Sequence, residues 1–140
     1  MRKFMAIALI TMLGYANIAY AKEAQMQKEI IESVKTYLSG ITEGKSAKMK
    51  PVFVKEATIF GAKAGQKVSG GQIQILYDVI DSLGKAQQAK SDIEILYQFE
   101  NIAAVKVDTK NLHNANVIDL LLLTKIDNEW RITSKLWQEY

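Results

Sequence analysis

Met26, Ile30, Val34, Tyr37 and Leu38 recur at helical spacing between Lys22 and Leu38, while Lys28, Glu29, Glu32 and Lys35 fall on other sides. That pattern predicts an amphipathic helix, and Gly40 is placed to end it. Ser46 to Phe53 reads as a short helix with Ser46 as N-cap and Pro51 disturbing its interior. Ala57–Phe60 and Lys67–Ser69 read as short strands around a turn. Ser69-Gly70-Gly71-Gln72 has the spacing of a capping box, so a helix is expected over Gln72–Leu83, burying Ile73, Leu76, Tyr77, Ile80 and Leu83 and closed by Gly84. The Gly70-Gly71 pair lacks both the P-loop and the dinucleotide spacing and is read as a tight entry into that helix. After a polar linker the pattern changes to four strands, Asp92–Phe99, Ile102–Thr109, Val117–Ile126 and Glu129–Trp137. Helices grouped apart from a four-stranded meander indicate an α+β domain with one antiparallel sheet.

The last hairpin turns at Asp127-Asn128. A two-residue loop there sets Leu123 opposite Ile132, Leu121 opposite Ser134 and Asp119 opposite Leu136, on one face with Val117 and Trp130. The other face carries Thr124 and Arg131, Leu120 and Lys135, Ile118 and Trp137. The less charged first face is expected to pack on the helices, which points Asp119 and Ser134 inward. In the preceding hairpin, a regular two-residue loop at Glu100-Asn101 leaves Ile95, Tyr97 and Phe99 on the wrong face. A bulge is therefore predicted there, bringing them to the side of Ala103, Val105 and Val107.

The N-terminus alters the picture of charge. Met1-Arg2-Lys3, an apolar run from Phe4 to Leu13 and an ending Ala19-Tyr20-Ala21 describe a secretory signal peptide. The apolar run is short for a membrane span. Cleavage after Ala21 leaves residues 22–140, one domain with room for a core, and a periplasmic or secreted location is expected. Losing Arg2 and Lys3 lowers the formal charge of the 140-residue chain from +3 by two, to +1. That balance gives no reason to expect nucleic acid or a stable membrane anchor as partner. With no cysteine and a single histidine, neither a disulfide framework nor a zinc site is expected, and no cofactor is assigned.

The hairpin V-I-D-L-L-L-L-T-K-I-D-N-E-W-R-I-T-S-K resembles the closing signature of the nuclear transport factor 2-like superfamily, in particular the family called putative lumazine-binding. Its strand pair reads approximately Asp-Tyr-Leu-x-Leu, then Asp-Gly-x-Trp-x-Ile-x-x-Lys. The matching positions are Asp119, Leu121, Leu123, Asp127, Trp130, Ile132 and Lys135, with Asn128 in place of the glycine. Around Phe53 to Ala57, where relatives often carry His-Pro, this chain has Val54-Lys55. The resemblance implies a cystatin-like cone, a curved antiparallel sheet wrapped around a long N-terminal helix with a pocket in the concavity. Its members include isomerases, cyclases, dehydratases and pure binding or dimerisation modules, so fold alone does not choose an activity.

Asp119 is the sharpest candidate. A carboxylate among apolar side chains is either held by hydrogen bonds in a structural role or has a raised pKa suited to proton transfer. Tyr37, Tyr77 and Tyr97 are candidate donors near it, and Ser134 shares its face. His113 lies in the polar turn Lys110–Asn116 and reads as a surface histidine. The expectation is an exported protein that binds a small apolar or aromatic ligand through Tyr37, Tyr77, Tyr97, Asp119 and Ser134. The alternatives are an isomerase-, cyclase- or dehydratase-type enzyme with Asp119 as general base, and a dimeric interaction module. A homodimer through the outer sheet face is compatible with either, because Ile118, Leu120 and Trp137 make that face apolar.

Overall fold

The computed structural model describes the backbone of residues 2–140 and the side chains of residues 17–140. The expected leader, 1–21, therefore lies mostly outside the described side chains. Helix α1 (Arg2–Glu43) is followed by α2 (Ser46–Met49), a 3-10 turn (Lys50–Val52), β1 (Phe53–Ala62), β2 (Ser69–Gln72), α3 (Gln74–Leu83), β3 (Lys90–Phe99), β4 (Ile102–Leu112), β5 (Ala115–Ile126) and β6 (Glu129–Glu139). The strands form one six-stranded sheet in the order β2-β1-β6-β5-β4-β3. The expected meander β3 to β6 is present, but the sheet is not purely antiparallel, because β1 runs parallel to β6. That pairing joins segments far apart in sequence, and no local pattern announces it. Among the described residues, no helix is long and apolar enough to cross a membrane.

Helix α1 lies against the inner face of the sheet. Ile30, Val34, Tyr37 and Ile41 are its buried stripe, and they meet Phe53, Val105, Val107, Leu121, Leu123 and Ile132. Burying such side chains contributes about 1.5–3 kcal/mol each, which fixes the helix axis over the sheet. Ser33 adds a hydrogen bond to the Trp130 carbonyl at 2.8 Å.

Several local expectations are corrected. Gly40 does not end α1. A Cβ there would lie 2.8 Å from Met49 Cβ, so its bareness admits α2. The helix ends before Gly44, whose φ of +65° supplies the left-handed residue. Ser46 is not an N-cap but the first residue of α2; its N–H and hydroxyl donate to the Asp81 carboxylate at 2.7 and 2.6 Å, tying α2 to α3. The expected capping box is instead strand β2, paired with β1 from Thr58↔Gln72 to Gly61↔Ser69. Ladder hydrogen bonds there satisfy the backbone that a cap would otherwise serve.

Both long hairpins are bulged. In β3 the register slips between Ile95 and Tyr97. The predicted bulge is present and Ile93 and Ile95 pack on the core, but it lies too early in the strand to bring in the rest: Tyr97 and Phe99 face outward, 57% and 59% exposed. In β6 the turn is as expected, with Asp127 and Asn128 both at positive φ and Leu123 opposite Ile132. Thr133 is then an extra residue, its hydroxyl donating to the Leu122 carbonyl at 3.2 Å. Beyond it every side chain of β6 changes face. Leu121 pairs with Lys135 rather than Ser134, and Asp119 with Trp137 rather than Leu136.

Candidate functional site

The bulge at Thr133 brings Lys135 into the interior, diagonal to Asp119 on the inner face of the β5–β6 pair. Both are nearly inaccessible, at 4% and 3% exposed. The Lys135 ammonium donates to Asp119 Oδ1, and the Tyr37 hydroxyl donates to Asp119 Oδ2 at 2.6 Å. Lys135 Nζ also lies 5.5 Å from the Tyr37 ring centroid, within cation–π range. Tyr37 stands edge-on to Phe53 at 5.7 Å, and Phe53 edge-on to Tyr77 at 6.0 Å. A strand bulge, one turn of α1 and an aromatic row thus hold three polar groups in an apolar core.

Burial dominates the electrostatics. Desolvation holds the Tyr37 hydroxyl protonated well above the ordinary tyrosine range, and the Asp119 charge beside it acts in the same sense. For Lys135, desolvation lowers the pKa and outweighs the opposing pull of Asp119.

A cavity of about 480 Å³ lies between α3 and the inner face of the sheet. Ile75, Leu76, Val79, Ile80 and Leu83 of α3 form one wall, and Ile59, Leu112, Val117 and Trp137 contribute from the strands. Lys63, Ser69, His113, Lys135 and Glu139 are its polar members. Lys135 is thus both a cavity-wall residue and the partner of Asp119. A mostly apolar space with a few placed polar groups suits a small organic molecule.

Of the five expected site residues, none is in the cavity wall. Tyr37 and Asp119 are brought together, directly behind Lys135. Tyr77 is buried beside Phe53, with Lys50 Nζ 5.1 Å from its ring. Ser134 faces outward and pairs with Thr58 at 3.2 Å, because the bulge reverses its face. Tyr97 lies on the exposed side of the sheet for the same reason in β3.

Three cavity residues escape the sequence pattern. An uninterrupted register puts Lys135 and Trp137 on the outer face. The family motif does contain Lys135, and a buried Asp119 in need of a cation is the signal that points to it. The flanks of His113 suggest a surface residue. It occupies a two-residue turn with Asn114, both at positive φ, and it lines the cavity, with Nε2 buried and without a hydrogen-bond partner among the described residues.

Comparison with known proteins bears on this geometry. The family described as Putative lumazine-binding matches residues 25–138. An NTF2-like protein of unknown function from Shewanella baltica OS155 is 31% identical, with a TM-score of 0.79 over 84% of this chain and 95% of its own. Another, from Methylobacillus flagellatus KT, is 32% identical, with a TM-score of 0.78 over 83% of this chain and 93% of its own. A curated relative, Aldolase FrzH of Cladobotryum sp., is 27% identical over 112 residues, which is 79% of this chain and 89% of that protein. The expected α+β cone and the expected family are both borne out.

Proposed function

The chain belongs to the Putative lumazine-binding family of the nuclear transport factor 2-like superfamily, and on that premise we propose that it is an exported binding protein for a small apolar or aromatic molecule. One observation carries the reading: a cavity of about 480 Å³, apolar on most of its wall, with Lys135 and His113 as polar anchors inside it. Native mass spectrometry of the protein purified from its source tests it. The unaltered chain is expected to retain a small molecule that Val79→Trp, which adds bulk to the α3 wall of the cavity, does not. Identical, ligand-free spectra for both, with no change in tryptophan fluorescence on adding small aromatic compounds, would overturn it. Export is tested by the N-terminus of the secreted fraction, expected at Lys22; an intact Met1 in a membrane fraction would refute it.

A second reading is enzymatic, and the aldolase name of the curated relative favours it. Asp119 is a poor free base, because both carboxylate oxygens already accept hydrogen bonds. Lys135, on the cavity wall, is the member of the pair placed to meet a substrate. We further propose a homodimer through the outer sheet face. Trp137 plays no part in it, being turned to the cavity; Phe99, Ile102, Leu120, Leu122 and Leu136 are its exposed apolar members.

A further inference from the structure

Among the described residues, Lys135 is the only cavity-wall group that is also ion-paired. Lys63, the other lysine of the wall, is exposed and has no such partner among the described residues. We propose that Lys135 forms a covalent imine with an aldehyde or ketone whose apolar body fills the cavity, Asp119 carrying the proton in both directions. The inference rests on the ligand-binding reading of the cavity and names the chemical class that it takes.

Lysine attacks a carbonyl only as the neutral amine. In water the ammonium form dominates near neutral pH, but here the proton has a short path to leave by, along the existing hydrogen bond to Asp119 Oδ1. An apolar ligand that displaces water raises the cost of keeping two charges in the core. That cost favours moving the proton off the ammonium before the amine adds. The Tyr37 hydroxyl, which donates to Oδ2, keeps the carboxyl oriented with Oδ1 toward Lys135. Burial acts on Lys135 in the same direction, weakening its hold on the proton.

The step balances. The ammonium passes a proton to Asp119. The free amine adds to the carbonyl carbon and one of its protons moves to the oxygen, giving a carbinolamine. The Asp119 carboxylic acid returns its proton to that hydroxyl, which leaves as water as the carbon–nitrogen double bond forms. The product is an iminium paired with the Asp119 carboxylate, the same charge arrangement as the starting ion pair. No oxidant or reductant is consumed.

The test uses 2-naphthaldehyde with cyanoborohydride near neutral pH, peptide mass mapping of the reduced adduct, and 2-naphthalenemethanol as a matched ligand without a carbonyl. One adduct is expected, on Lys135, formed faster than on any exposed lysine, because only Lys135 joins the cavity wall to a buried proton acceptor. Excess 2-naphthalenemethanol should suppress it. Lys135→Arg keeps a cation beside Asp119 and should bind the alcohol, by calorimetry, while losing the fast adduct. Adducts spread evenly over exposed lysines, in protein that binds the alcohol, would overturn the imine and leave the cavity reading standing. Failure of the unaltered protein to bind the alcohol would overturn both. Mapping on the unaltered chain locates the adduct by itself, so the imine is tested even if Lys135→Arg does not fold.

Discussion

The β3–β4 and β5–β6 hairpins carry the same irregularity with opposite results. Each has one extra residue in one strand, Leu96 in β3 and Thr133 in β6. In β3 the bulge turns two aromatic residues, Tyr97 and Phe99, out into solvent. In β6 it turns a lysine and a tryptophan inward, Lys135 to Asp119 and Trp137 to the cavity. The side-chain period of a strand is two, so one inserted residue exchanges the faces of everything beyond it. The difference lies in what each strand meets. β3 is an edge strand whose bulge leaves only the polar Gln98 toward the inner face, 3.5 Å from Glu23 of α1. β6 is central, between β1 and β5, and its inner face must answer a buried carboxylate.

Deleting Thr133 strikes hardest at that contrast. It should restore the uninterrupted register, move Lys135 outward and leave Asp119 buried without a cation. The expected loss is at the top of the range of about 3–5 kcal/mol that an unpaired buried charge costs, a large part of the stability of a domain of this size, and circular dichroism at 25 °C reads it. Native-like spectra with unchanged melting would mean that the bulge does not decide the face of Lys135.

Asp119→Asn keeps the register and removes one charge. Lys135 is then buried and unpaired, at a cost of about 3–5 kcal/mol in a urea melt. The paired change Asp119→Leu with Lys135→Met should recover most of the loss, since an apolar pair of similar volume is often neutral in place of a buried ion pair. A double variant as unstable as the single one would show that packing, rather than charge, governs the site.

A smaller effect is expected of Tyr37→Phe, which removes one donor to a charged acceptor, about 1.5–3 kcal/mol. It also bears on alkaline stability. The folded Tyr37 pKa is raised above its ordinary 10.0, so its contribution is complete below that value and is lost as pH rises through the folded pKa. The folded Lys135 pKa is lowered from 10.5, so stability from that group rises with pH over the window from its folded pKa up to 10.5. Melts of both chains across about pH 9 to 11 should show a steeper alkaline decline in the unaltered protein than in the phenylalanine variant; parallel curves would remove Tyr37 as the titrating group.

The smallest change in stability is expected on the outer face. Leu122 is 52% exposed, and Leu122→Glu should alter unfolding by no more than about 0.5 kcal/mol while shifting sedimentation from dimer to monomer. Monomers for both chains would remove the proposed interface and leave the inner face untouched.

Periodicity alone determined most of the architecture. Three-four spacing marked the buried stripe of α1 from Ile30 to Tyr37. Alternation marked all four strands of the meander, and Asp127-Asn128 marked the turn that sets Leu123 opposite Ile132. These features follow from residues close in sequence. Asp119 was also legible as a buried acid, since the slip falls in β6 and leaves the faces of β5 unchanged. What the tertiary structure decided is the register beyond Thr133, the parallel seating of β1 against β6, and the turn that aims His113 into the cavity. In the segment I-T-S-K-L-W, both possible faces carry one polar and one large apolar residue, Ser134 with Leu136 or Lys135 with Trp137. Alternation cannot choose between them. The choice falls to the carboxylate across the strand, because a buried charge needs an opposite one.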